Sequence, residues 1–205
     1  MLRRLLANAL IASGARAERG ARLELACRRY RAAAALAPRY APAHLNLGAA
    51  LEALGDAAGA FAAYQAALAA GGDNPFARYN AGRLHYARGE LETAETHLRH
   101  ALQRKPDFVE ALITLAAVLD ARRDPNDAAA LLQQALALAP GDGGAWFNYG
   151  ELLWRLARYD EAEDALRRAL EIEPRFIPAW HLLGNLLRGT SRIAEALQTF
   201  AAARR

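Results

Sequence analysis

The chain has 205 residues, 54% of them hydrophobic, with 26 basic and 22 acidic residues and a net charge of +4. Acids and bases are intermixed, leaving no continuous basic stripe to track a phosphate backbone, so nucleic acid is not an expected partner. Cys27 is the single cysteine, which excludes an intramolecular disulfide or a thiolate metal site, and no apolar run approaches the roughly twenty residues of a membrane span.

The first stretch, Met1–Ala17, opens with Arg3 and Arg4, then Leu5–Ala12, then Ala15-Arg16-Ala17. That order touches on a secretion signal, but the apolar core is short and Asn8 interrupts it. The reading preferred here is a helix, with Leu10 and Gly14 in phase with the segments downstream. Residues 7–40 then form a helical hairpin with Ser13 at a normally large apolar position and an Arg-rich second helix. Residues 41–74 open with Pro42 in a first turn, where a missing N–H costs nothing, and end on the helix stop Gly71-Gly72-Asp73-Asn74. Residues 75–108 carry His97 and His100 three apart on one helix face; without a third ligand they read as water-facing rather than metal-binding.

In residues 109–142, Ala116 replaces a glycine and Arg123 sits at the turn, after which Asp124-Pro125 is expected to cap and open the second helix. Gly141-Asp142-Gly143-Gly144 reads as a flexible joint. Residues 143–176 hold the clearest unit: Trp146, Tyr149, Gly150 and Leu153 make one helical stripe, Ala162, Leu166, Ala169 and Leu170 a second, and Pro174 closes it. Residues 177–205 repeat the pattern from Trp180 and stop at Ala203-Arg204-Arg205, inside a second helix. Without a polar cap, either the native chain continues or another surface covers Leu197 and Phe200, which also offers a route to self-association.

The same phase recurs every thirty-four residues. A small residue reads Gly14, Gly48, Gly82, Ala116, Gly150 and Gly184. A second reads Ala26, Ala60, Ala94, Ala128, Ala162 and Ala196, and a bulky residue four later reads Tyr30, Tyr64, Leu98, Leu132, Leu166 and Phe200. These columns resemble the tetratricopeptide repeat, with its W-x2-L-G-x2-Y, A-x3-F and P signature, over Ala7 to Arg205. The resemblance implies an all-α fold: a right-handed α-solenoid of six helix–turn–helix repeats at 7–40, 41–74, 75–108, 109–142, 143–176 and 177–205, one domain across 1–205. Small residues let paired helices approach, the bulky one fills the remaining gap, and stacking buries the face each hairpin leaves open.

No Gly-rich phosphate loop, H-E-x-x-H motif or nucleophile with a His partner is present, so a non-enzyme without cofactor or metal is expected. Glu161 and Glu163 fit a helix start better than an acid–base pair. The arginine pairs 28–29, 122–123 and 167–168 read as solvated helix faces.

The resemblance also implies that the first helix of each repeat lines a concave groove for an extended peptide or protein segment, through repeat positions two, five, six, nine, twelve and thirteen. Position six holds Asn46, Asn80, Thr114 and Asn148, whose amides suit a peptide backbone and look like the asparagine ladder of O-linked N-acetylglucosamine transferase. Position five adds Tyr79, Ile113, Phe147 and His181, position nine Arg83, Glu151 and Asn185, and position twelve Tyr86, Asp120, Trp154 and Arg188. Hydrogen bonds netting about 0.5–1.5 kcal/mol each cannot alone reach the roughly 8 kcal/mol of micromolar affinity, so the aromatics must contribute. Asparagines that instead tie adjacent helices together are the alternative. A basic clamp for a chaperone C-terminus is disfavoured, because positions two and six pair Phe76 with Asn80 and Glu110 with Thr114. The expected role is a cytoplasmic interaction scaffold. The alternative is the substrate-recruiting arm of a larger enzyme, a glycosyltransferase or methyltransferase.

Overall fold

In the computed structural model the described residues are 1–71 and 74–202; Gly72 and Asp73 of the expected helix stop, and the terminal 203–205, lie outside them. Among the described residues there are twelve helices and no strand. One compact unit, Met1–Phe108, holds α1 (Leu2–Arg19), α2 (Leu23–Leu36), α3 (Ala41–Ala53), α4 (Ala57–Gly71), α5 (Pro75–Ala87) and α6 (Leu91–Arg104). The other, Val109–Arg205, holds α7 (Val109–Ala121), α8 (Pro125–Leu138), α9 (Gly143–Arg155), α10 (Tyr159–Ile172), α11 (Ile177–Gly189) and α12 (Ile193–Ala202). Odd and even helices pair as hairpins, and within each unit every hairpin packs on the next through its second helix.

The small and bulky columns meet inside each hairpin. Gly14 lies against the Tyr30 ring so closely that a Cβ there would sit 2.5 Å from it. Gly48 opposes Tyr64 and Gly184 opposes Phe200, while a Cβ on Gly82 or Gly150 would reach Leu98 Cγ at 2.8 Å or Leu166 Cγ at 2.9 Å. Each alanine of the second small column is buried, so helix backbones approach where the sequence withholds side-chain volume.

The turns share a column that periodicity alone does not reveal. Ala21, Gly55, Gly89, Arg123, Ala157 and Ser191, all at repeat position fifteen, have φ between 54° and 82°. The next N–H in each case returns to the carbonyl five residues earlier: Arg22 to Ala17, Asp56 to Leu51, Glu90 to His85, Asp124 to Leu119, Arg158 to Leu153 and Arg192 to Leu187, at 2.9 or 3.0 Å. This left-handed closure satisfies carbonyls that the helix end leaves open. Arg123 therefore does not spoil its turn; it occupies a left-handed position that glycine fills in hairpins two and three.

Two local expectations change. Asp124 makes no side-chain cap on α8. Instead Asp56 accepts from Gly59 N–H at 2.8 Å, Asn74 from Phe76 N–H at 2.9 Å, and Asp142 from Ala145 N–H at 2.9 Å. The 141–144 stretch, expected to be a joint, is thus the capped start of α9, with Gly143 buried so tightly that a Cβ would meet Glu173 Oε1 at 2.7 Å.

Hairpins are also tied across their junctions. Trp146 Nε1–H donates to the Pro140 carbonyl at 3.0 Å and Trp180 Nε1–H to that of Pro174 at 2.8 Å, while His44 Nε2 lies 2.8 Å from the Pro38 carbonyl. On the outer helix faces arginines pair with acids one turn away, among them Arg167 with Glu163 and Arg168 with Glu171. Exposed pairs of this kind contribute about 0.3–0.5 kcal/mol each and mark solvated surface. Among the described residues no helix is long and apolar enough to cross a membrane.

Candidate functional site

In unit 1 the predicted residues lie on α3 and α5. One Nδ2–H of Asn46 donates to the Pro42 carbonyl of its own helix at 2.8 Å, and the amide has a second N–H and an acceptor oxygen besides. Tyr79 tilts against Phe108 with ring centroids 4.9 Å apart, within a cluster that includes Phe76. Arg83 pairs with Glu52 on α3, and the same carboxylate accepts from Tyr64 O–H at 3.1 Å. Burial opposes the Arg83 charge, but the Glu52 hydrogen bond and charge overcome it and hold the guanidinium above its ordinary range. Burial first, and then Glu52, pushes the Tyr64 phenol up as well. Asn80 and Tyr86 remain half-buried on α5.

In unit 2 Thr114 Oγ1–H donates to the Glu110 carbonyl of its own helix at 2.7 Å. Phe147 packs edge-on against Phe176, centroids 5.0 Å apart. Tyr79 and Phe147 therefore serve partly as core, each against the aromatic that ends its own repeat. Asn148 and Glu151 are exposed on α9. Trp154, Asn185 and Arg188 come together: with Tyr159, Leu186 and Thr190 they line an open cleft of about 510 Å³ between the fifth and sixth hairpins. Trp154 is 39% exposed there, unusual for an indole without a polar task.

Sequence reasoning missed Glu52, although Glu18 and Glu52 are thirty-four apart and each precedes a tyrosine by twelve. Tyr30 O–H donates to Glu18 at 2.8 Å, just as Tyr64 does to Glu52. Asp120, a position-twelve residue of the sequence reading, pairs with Arg155 of the next hairpin, whereas Tyr159 and Thr190, for which no periodic signal exists, were missed. The histidines behave differently from expectation. His97 is not water-facing: its ring stacks on buried His85 of α5 at 5.2 Å and 11°, a partner across the hairpin that a single-helix reading cannot see. His85 Nδ1 in turn meets Glu90 Oε2. Among the described residues no group of three or more His, Cys, Asp or Glu is placed to hold a metal.

Profiles described as tetratricopeptide repeat match residues 12–75, 51–119 and 119–187. The chain belongs to the tetratricopeptide repeat family. A TPR repeat-containing protein of Methanocaldococcus jannaschii is 26% identical over 157 residues, covering 72% of this chain and 28% of that protein. The cellulose synthase 2 operon protein C of Komagataeibacter xylinus is 35% identical over 133 residues, 61% of this chain and 10% of that protein. The chain thus spans between 10% and 28% of the length of these curated relatives. In fold it is similar to Pseudomonas aeruginosa PilF, with a TM-score of 0.85 at 20% identity over 97% of this chain and 90% of that one. As a TPR protein it is an interaction scaffold, a class whose members typically carry no catalytic residues of their own.

Proposed function

We propose that this TPR chain grips an extended peptide segment along the first helices of successive repeats. The observation that carries the reading is the convergence of Trp154, Asn185 and Arg188, drawn from two hairpins, on one open cleft. Asn148 and Glu151 extend the contact row on α9 within unit 2, and Asn80 and Tyr86 form the corresponding surface of α5 within unit 1. Asn46 and Thr114 contribute less because one Asn46 N–H and the Thr114 hydroxyl proton are already engaged. With Tyr79 and Phe147 partly committed to Phe108 and Phe176, Tyr86 and Trp154 must supply most of the apolar burial. Burying such a ring fully yields about 1.5–3 kcal/mol, more than any single asparagine contact.

The test is selection of random displayed heptapeptides on the folded chain, followed by fluorescence anisotropy of the enriched sequences. Enriched peptides should bind, and the Trp154→Ala and Asn80→Ala/Asn148→Ala variants should weaken them while keeping full helicity. No enrichment, or equal binding by every variant, overturns the groove reading.

A second reading is that these repeats recruit substrate for a larger assembly or chain. It is favoured by the relatives being several times longer than the stretch they share with this chain, one of them encoded with a cellulose synthase. The intact mass of the native product tests it: a mass well above 22.2 kDa supports recruitment, and one at that value removes it.

A further inference from the structure

Within each unit, successive hairpins meet at a junction, and at two of these junctions the charges cancel internally. At the second-to-third junction the position-twelve acid Glu52 pairs with Arg83 of the following repeat. At the fourth-to-fifth junction the position-twelve acid Asp120 pairs with Arg155 of the following repeat, in a cleft of about 450 Å³. At the fifth-to-sixth junction position twelve is Trp154 instead. The sixth hairpin supplies a cation here from its own position twelve, Arg188, but no acid lines this cleft, and among the described residues no carboxylate pairs with Arg188. Neighbouring arginines are all engaged: Arg155 with Asp120, Arg158 with Glu161, and Arg192 with Glu163 and Glu195.

We propose that the cleft between the fifth and sixth hairpins takes an aspartate or glutamate side chain of a partner peptide, with an apolar residue beside it in sequence. The proposal rests on the peptide-binding reading above and names the chemistry of its ligand. The incoming carboxylate meets the Arg188 guanidinium, a charge-assisted contact of the kind that position twelve of the array supplies internally elsewhere. The Asn185 amide is a second donor at the same site. Thr190 Oγ1–H points back to the Leu186 and Leu187 carbonyls at 3.1 Å, so its hydroxyl offers only lone pairs and does not compete for the anion. The neighbouring apolar residue lies on the exposed Trp154 indole, with Tyr159 and Leu186 as walls. The replacement of an acid by tryptophan thus does two things at once: it frees a cation and installs an apolar platform next to it.

The heptapeptide selection decides the matter. Enriched sequences should carry Asp or Glu adjacent to Leu, Phe, Tyr or Trp. The best of them, made as a fluorescein-labelled peptide, should lose about tenfold in affinity when its acid becomes the amide, and about tenfold on Arg188→Gln. Trp154→Asp, which restores the internal acid, should remove the preference for acidic over amidated peptide, whereas Trp154→Ala should weaken both peptides alike. Enrichment without acidic residues, or an Arg188→Gln chain that still prefers the acidic peptide, overturns this proposal and leaves the groove reading standing. No enrichment at all removes both.

Discussion

Acid should loosen the third hairpin. His97 on α6 stacks on His85, and its Nδ1 is buried with no hydrogen-bond partner. Burial first, then the nearby His85, Arg78 and His100, lower its pKa from 6.5 to about 4. His85 also meets Glu90 and packs at nearly a right angle to the Phe61 ring, over which Arg88 lies. Because the folded imidazole takes up its proton at lower pH than the unfolded one, the unfolded chain binds more protons between these two values. Stability is therefore complete above about pH 6.5 and falls as pH drops toward about 4. A shift of that size is worth at most about 3 kcal/mol. At this half-buried position solvent screening reduces it to about 1–2 kcal/mol. The assay is urea unfolding followed by helical circular dichroism at about pH 7.5 and about pH 4.5, for the native chain and His97→Leu. The native chain should lose about 1–2 kcal/mol more than the variant over that interval, other titrations cancelling in the difference. Equal losses, or a larger loss in the variant, would refute the reasoning.

The same unfolding assay reads two packing predictions. Gly48→Ala should cost about 3 kcal/mol, because its Cβ meets the rigid Tyr64 ring, whereas Gly150→Ala should cost about 1 kcal/mol, since Leu166 is flexible and the fourth repeat itself carries Ala116 and Leu132 in these columns. Arg123→Gly and Ala157→Gly should each leave stability unchanged or raise it by up to about 1 kcal/mol by relieving a left-handed residue, and Gly55→Ala and Gly89→Ala should each lower it by about 1 kcal/mol.

The hairpins were legible because their packing makes the same demand six times. A crossing needs a small residue opposite a large one, and Gly14/Tyr30, Gly48/Tyr64 and Gly184/Phe200 meet that demand with side chains whose size is read directly from the sequence. The turns were less legible because the left-handed residue at position fifteen is set by backbone closure, which tolerates Ala21, Arg123, Ala157 and Ser191 as well as glycine. Partners across a hairpin, such as His85 for His97, were hidden because a one-helix periodicity carries no information about the opposite helix.

Position twelve explains why the binding row was only half visible. Where position twenty-four is tyrosine, as at Tyr30 and Tyr64, its hydroxyl reaches a half-buried place and position twelve supplies the acceptor, Glu18 or Glu52. Once position twenty-four becomes Leu98, Leu132, Leu166 or Phe200, no hydroxyl needs an acceptor, and position twelve is released to become Tyr86, Asp120, Trp154 or Arg188. The variation that breaks the repeat at position twelve is thus permitted by a change at position twenty-four of the same hairpin. In a repeat array, a column free of packing duty is where recognition chemistry can differ from one hairpin to the next. The exposed indole of Trp154 and the charge of Arg188, which pairs with no carboxylate among the described residues, are both products of that release.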